Sequence, residues 1–114
     1  MRVLLDTHMV LWALADSPRL SARARAVLAD ADNECWVSSA SVWEIAIKGV
    51  LGKYKLGQPL VRMEMAIEAA GFRTLDVTMR HAAAIEQVVV SHADPFDRLL
   101  PAAARRAVGP FVFF

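Results

Sequence analysis

Cysteine, paired metal-binding residues and long apolar runs are scarce in this chain, and each scarcity excludes a class of protein. Its one cysteine, Cys35, cannot form an intramolecular disulfide, and we expect it to be a small buried side chain of a strand. The sequence has no Cys/His pattern at the spacing of metal ligands. No uncharged apolar run approaches the roughly 20 residues of a membrane span, and Arg2 followed so soon by Asp6 does not begin a signal peptide. These absences favour a cytoplasmic protein without a membrane partner.

A strong excess of one charge is also lacking. Thirteen Lys and Arg oppose twelve Asp and Glu, and the net charge of +1 does not by itself indicate a nucleic-acid-binding protein. The distribution is more informative, because no acid follows Asp97 and the segment Lys48–Lys55 combines lysines with Tyr54. Such a segment can follow a phosphate backbone and stack a base, or it can be an ordinary solvated loop. A flavodoxin-like binder is disfavoured because no Gly-rich loop follows the first strand.

The 114 residues, of which 56% are hydrophobic, form one domain. Short apolar runs alternate with segments of helical periodicity, which is typical of a parallel sheet covered by helices. The predicted strands are 2–6, 34–39 and 72–77, and the predicted helices are 7–15, 21–30, 41–48, 59–70 and 78–89. Ser21 and Thr78 are expected to start their helices, and Gly71 to be the C-terminal cap of the helix before it.

Carboxylates lie where predicted strands give way to helices. Asp6 directly follows the first strand, and Glu44 lies in the helix after the second. Each has a simpler interpretation: Asp6 with Thr7 can cap the next helix, and Ser41 with Glu44 has the spacing of a capping box. Since the carboxyl ends of parallel strands meet at one edge of a sheet, both acids are also expected at that edge.

A third junction occurs late in the chain. Asp94 followed by Pro95 is a favourable helix start, and Asp97 lies in the first turn beyond it. Three junctions that each present a carboxylate are difficult to attribute to capping alone. Clustered oxygen ligands suit Mg²⁺ or Mn²⁺, and such an ion supports hydrolysis of a phosphodiester.

Three motifs in this order resemble PIN-domain ribonucleases, most closely the VapC-type toxins of bacterial toxin–antitoxin pairs. They are Leu-Leu-Asp-Thr-His at 4–8, Ser-Val-Trp-Glu-Ile-Ala-Ile-Lys at 41–48 and Asp-Pro-Phe-Asp-Arg-Leu-Leu at 94–100. The resemblance implies a three-layer α/β/α sandwich with a short parallel sheet. It also implies cleavage of RNA with Mg²⁺ or Mn²⁺, a homodimer, and a cognate antitoxin that occupies the active-site groove.

The resemblance also assigns roles by position. Asp6, Glu44 and Asp97 correspond to the family's catalytic acids, and together with Asp94 they are the expected metal ligands. The residues expected to contact RNA are Thr7, Lys48, Lys53, Lys55 and Arg98.

The tail, residues 101–114, departs from the family pattern. Pro101 interrupts the helix after Asp97, at a cost of about 3 kcal/mol in a helix interior. Residues 111–114 have the composition of a fourth strand, whereas the family's last strand and fourth acid are expected to be missing. We therefore expect weak metal binding and low or absent nuclease activity with Mg²⁺. The competing hypothesis is a catalytically inactive PIN-fold module that binds antitoxin as a decoy or co-regulator.

Overall fold

The computed structural model describes residues 1–54 and 57–83, together with the backbone of a strand at 112–113. The elements in chain order are β1 (Arg2–Leu4), α1 (Thr7–Leu14), α2 (Ala22–Ala29), β2 (Glu34–Ser38), α3 (Ser39–Val50), α4 (Val61–Ala69), β3 (Arg73–Leu75), α5 (Met79–Ala83) and β4 (Val112–Phe113). Within these ranges no helix is both long and apolar enough to cross a bilayer.

The four strands form one parallel sheet in the order β3-β2-β1-β4. Val3 is opposite Cys35 of β2 on one side and Val112 of β4 on the other. The chain therefore moves outward from β1 to β3 and then returns to the far side of β1. In open α/β sheets such a reversal leaves a crevice at the carboxyl ends of the strands, where ligands bind. Asp6 follows β1 at this crevice.

The predicted small α/β fold with a short parallel sheet is confirmed, and so is a strand within 111–114. This strand, β4, pairs with β1 and is the fourth strand that residues 111–114 were expected to form. The part of the last predicted helix beyond Ala83 falls outside the described residues, as do Asp94, Asp97 and Pro101.

The main core lies on one face of the sheet. Strand side chains alternate between faces, so the cluster takes Val3 from β1 and Cys35 and Val37 from β2. Each of the helices α1 to α4 adds buried apolar residues to the same cluster, which fixes all four against this face. The other buried residues of this cluster are Leu5, Met9, Val10, Leu20, Ala24, Ile45 and Ile67.

Helix starts show which local signals were sufficient. Ser21 caps α2 through a bond from the Ala24 amide, as predicted. Thr78 caps α5 by accepting from the amide of His81 at 3.2 Å, while the Thr78 amide donates to Nδ1 of His81 at 3.1 Å. Gly71, with φ of +82°, ends α4 as expected, because glycine adopts this left-handed conformation without steric cost.

The start and end of α3 differ from prediction. The helix begins at Ser39 with Ser38 as its cap, since the Ser38 hydroxyl accepts from the Ala40 amide at 3.1 Å. The predicted cap, Ser41, lies inside the first turn. At the other end, Lys48 to Val50 are still helical, so the basic loop begins at Leu51 rather than at Lys48.

Candidate functional site

Asp6 lies between the end of β1 and the first turn of α1. Its Oδ1 accepts a hydrogen bond from the Met9 amide at 2.9 Å, which confirms Asp6 as the cap of α1. The side chain is nevertheless exposed, and its other oxygen makes no hydrogen bond within the described part of the chain. Capping therefore uses one carboxylate oxygen and leaves the other available to a ligand.

Glu44 is almost completely buried, with 5% of its surface exposed, and both of its oxygens are hydrogen-bonded. Thr7 donates from Oγ1 to Oε1 at 2.9 Å, and Lys48 donates from Nζ to Oε2 at 2.6 Å. The predicted capping box is wrong, because Glu44 lies in the second turn of α3 and faces α1. Within the described residues, the buried Ser41 hydroxyl makes no hydrogen bond at all.

The bond between Thr7 and Glu44 brings the first two acids to the same edge of the sheet. Thr7 follows Asp6 directly, and 37 positions separate it from Glu44 in the sequence. β1 and β2 are neighbouring parallel strands whose carboxyl ends meet here. Asp6 is therefore at the open rim of the crevice, and Glu44 lies deeper beside it.

Lys48, which we expect to contact RNA, also has an ionic partner within the chain. Its ammonium group forms a salt bridge with Glu44 one helical turn earlier. This spacing is a familiar signal for ion pairing along a helix. The Lys48 side chain is 23% exposed, and its Nζ lies 5.6 Å from the centre of the Tyr54 ring.

Electrostatics explain why Glu44 is paired with Lys48. A carboxylate as buried as Glu44 loses most of its hydration, and this loss is tolerated only where a counter-charge and hydrogen-bond donors replace the water. Lys48 supplies the counter-charge and Thr7 the second donor. A carboxylate held in this way is fixed in orientation before any ligand binds.

The remaining expected site residues are only partly described. Lys53 is exposed in the loop after α3. The other four, namely Asp94, Asp97, Lys55 and Arg98, lie outside the described residues. Within the described ranges, no three His, Cys, Asp or Glu side chains are grouped as a metal site would require.

Comparison with known proteins assigns the fold to a family. A family model described as PIN domain matches residues 3–114, nearly the whole chain. The chain belongs to the PIN domain family. A comparison with curated proteins finds no match.

PIN domains are generally metal-dependent nucleases, and they typically use Mg²⁺ or Mn²⁺. The family match thus supports a nuclease, a hydrolase in general terms, and confirms the PIN part of the predicted resemblance. The fit of a metal can be judged from the donors of this PIN domain. Asp6 and Glu44 supply the hard oxygen atoms that these ions prefer, so the donor type fits, although Lys48 occupies one Glu44 oxygen.

An aromatic cluster that the sequence did not indicate lies beside the acids of this PIN domain. The His8 ring lies 5.7 Å from the Trp12 ring and 6.2 Å from the Tyr54 ring, measured between centres. His8 and Trp12 are four residues apart on one helix, a spacing that predicts side-chain contact. Tyr54 is distant in sequence, so only the tertiary fold brings it to the pair.

Cys35 behaves as predicted and takes no part in the site. It is 7% exposed as the second residue of β2, and burial raises the pKa of its thiol. A thiol held in its neutral form is a poor nucleophile.

Proposed function

We propose that this PIN domain is a Mg²⁺- or Mn²⁺-dependent endoribonuclease of the VapC toxin type. The observation that carries the proposal is Glu44, a buried carboxylate fixed by Thr7 and Lys48 next to Asp6 at the carboxyl edge of the sheet. Together with the family match, this arrangement supports a site that binds a divalent ion and a phosphodiester.

Each proposed role follows from the side chain's chemistry. Asp6 and Glu44, joined by Asp97 and Asp94, would hold the ion. A bound divalent ion lowers the pKa of a water and stabilises the developing charge of the phosphodiester. Thr7 keeps the Glu44 carboxylate oriented.

In this proposal, Lys48 balances the charge of Glu44 before an ion binds. When the ion takes the Oε2 of Glu44, the Lys48 side chain turns towards an RNA phosphate. Lys53, Lys55 and Arg98 would contact the polyanion as well. Lysine suits the exchange because its ammonium group is a compact charge on a flexible stem.

The resemblance extends the proposal to partners. We propose that a cognate antitoxin protein silences the nuclease and that the toxin forms a homodimer. The antitoxin segment would occupy the active-site groove and exclude RNA from it. Copurification of the chain with the protein encoded beside it, followed by measurement of the mass of the complex, tests this part.

The second candidate is a catalytically inactive PIN-fold module that binds antitoxin as a decoy or co-regulator. The salt bridge between Lys48 and Glu44 favours it, because a carboxylate oxygen bound to lysine at 2.6 Å is not available to a metal. The two candidates differ in what divalent ions do to the purified protein.

The decisive experiment measures cleavage of single-stranded RNA by the full chain across a series of Mg²⁺ and Mn²⁺ concentrations. We expect cleavage that is low with Mg²⁺ and stronger with Mn²⁺. Asp6→Asn and Glu44→Gln should each reduce it by more than the roughly 10- to 100-fold that loss of an outer-shell partner of a metal ligand costs. Glu64→Gln is the matched control, since Glu64 is an exposed acid of α4 and should leave the rate unchanged.

The result against the nuclease is equally clear. If no concentration of either ion produces cleavage that depends on Asp6, the inactive module becomes the better assignment. Cleavage that survives both substitutions would indicate a contaminating ribonuclease.

A further inference from the structure

Two cavities flank α4, and they carry opposite charges. We define the aromatic groove as the cavity of about 570 Å³ between α1 and α4, lined by Trp12, Lys53, Tyr54 and Arg62 among others. The acidic groove is the cavity of about 550 Å³ between α3, α4 and β3. Its charged lining residues are Glu64, Glu68 and Asp76, and it also contains Trp43.

Among the described residues, no Asp or Glu lines the aromatic groove, and no Lys or Arg lines the acidic groove. A polyanion is therefore attracted to one cavity and repelled by the other. This contrast selects the aromatic groove as the side on which nucleic acid binds.

The aromatic groove has the residues that bind an unpaired nucleotide. Trp12 and Tyr54 are half-buried, so each ring packs partly on the core and also lines the cavity. Lys53 and Arg62 are exposed cations at the same cavity, and Gln58 adds an amide. The volume lies within the range of about 300–1,000 Å³ that is usual for small-molecule pockets.

The groove is adjacent to the candidate active site. The Tyr54 ring lies 5.6 Å from Lys48 Nζ, and the same Nζ lies 2.6 Å from Glu44. On α1, His8 connects the two regions, because it follows Thr7 and contacts both aromatic rings. The candidate active site and the groove are therefore joined through shared neighbours, Lys48 and His8.

We infer that the aromatic groove is a nucleotide-binding subsite that holds a base of single-stranded RNA next to the bond that is cut. Trp12 and Tyr54 provide the stacking surface, and Lys53 and Arg62 bind the phosphates on either side of that base. This inference rests on the proposed ribonuclease function and names the part of the substrate that the groove recognises.

Stacking decides between RNA and a protein segment as occupant. Unpaired bases stack on aromatic side chains irrespective of sequence, and Lys and Arg hold the backbone beside them. An acidic peptide would satisfy Lys53 and Arg62, but it gains less from two partly exposed aromatic rings than a planar base does.

The test measures binding separately from cleavage. A short fluorescent single-stranded oligoribonucleotide is titrated with the full chain in EDTA, where no metal-dependent cleavage occurs, and anisotropy gives Kd. We expect Trp12→Leu and Tyr54→Leu each to weaken binding roughly 5- to 150-fold, the usual range for the loss of one stacking ring. Tyr54→Phe retains a ring and should bind like the original chain.

Arg62→Gln keeps the test independent of folding, because Arg62 is exposed. It should weaken binding and lower the slope of log Kd against log salt by about 0.7, the value for one phosphate contact on a single strand. The matched controls, Trp43→Leu and Glu64→Gln, change the acidic groove and should leave Kd unchanged.

The possible outcomes distinguish failure of the subsite from failure of the proposed ribonuclease function. If the original chain binds RNA and the Trp12, Tyr54 and Arg62 variants bind equally well, the subsite is wrong and the ribonuclease proposal stands. If the same variants keep RNA affinity but lose a copurifying protein partner, the groove is a protein-docking surface and the subsite is again wrong. If the original chain does not bind RNA at all, the proposed function itself fails.

Discussion

At the scale of single residues, Glu44 determines the character of the site. It is buried and charged, and its stability in that position depends on one hydroxyl and one ammonium group. Asp6 is in the opposite situation, because it is exposed and needs no counter-charge. The two acids should therefore respond differently to mutation: loss of Asp6 affects ligand binding, whereas changes around Glu44 also affect folding.

Lys48→Met tests this dependence. Removing the ammonium group leaves Glu44 buried without its counter-charge, and we expect the free energy of unfolding to fall by about 1–3 kcal/mol, the cost of an unsatisfied buried group. Breaking a fully buried ion pair costs more, but the Lys48 side chain is 23% exposed, and water reduces the loss of stability. Urea titration measures the change.

A divalent ion and a second substitution test whether the unpaired Glu44 charge causes the loss of stability. Mn²⁺ should restore stability to the Lys48→Met chain, since a bound cation replaces the lost charge, and Lys48→Met combined with Glu44→Gln should be more stable than Lys48→Met alone. Lys53→Met, at an exposed position, is the matched control. Equal stability of the Lys48→Met and Lys53→Met chains would contradict the account.

At the scale of elements, α3 is the helix that positions the site. β2 passes directly into α3, and Ser38 both ends the strand and caps the helix. The cap sets where α3 begins. The start of the helix in turn decides which turn of α3 carries Glu44 and whether its carboxylate meets Thr7. Helix α2 is capped in the same way by Ser21, but it contributes no residue to the candidate site.

The two capping serines provide a matched pair of variants. Ser38→Ala and Ser21→Ala should each lower stability by about 1 kcal/mol, the usual cost of losing a serine cap. Only Ser38→Ala should also reduce RNA cleavage when both are assayed well below their unfolding temperatures, because only α3 carries Glu44. Equal activity of the two variants would mean that the start of α3 does not control the site.

At the scale of the whole molecule, the net charge is close to zero, but positive and negative side chains line different grooves. The net charge is +1, yet the aromatic groove carries cations and the acidic groove carries carboxylates. The sheet reversal at β1 places Asp6 in its own crevice, apart from Glu64, Glu68 and Asp76. A divalent ion thus has two acidic regions to choose between, and the proposed function requires the first.

Thermal unfolding with Mn²⁺ tests that choice. An ion that binds only the folded chain adds about 2.7 kcal/mol at a hundredfold excess over Kd, which corresponds to a rise in Tm of roughly 10 °C for a domain of this size. Asp6→Asn should remove the rise, and Asp76→Asn, which changes the acidic groove, should keep it. The reverse pattern would move the metal to the acidic groove and away from the proposed site.

Much of the fold could be predicted from local chemistry. An apolar run ending in Asp6 predicts a strand and a capped helix, and Ser21, Gly71 and Thr78 were sufficient to locate three helix ends. These signals succeed because a cap satisfies backbone groups within one turn, so the residues that decide the boundary are neighbours in sequence.

The sequence by itself determined the class of fold and the candidate acids, because burial periodicity and capping act over a few residues. Only the tertiary structure decided what Glu44 does. The local pattern of Ser41 and Glu44 indicates a capping box, but sheet pairing brings Ser38 to the cap position, and Thr7, 37 positions away, takes the carboxylate. The pairing of β1 with β2 brings Thr7 to Glu44, and no spacing along the chain encodes that contact, whereas the Lys48 partner lies one helical turn away and is local.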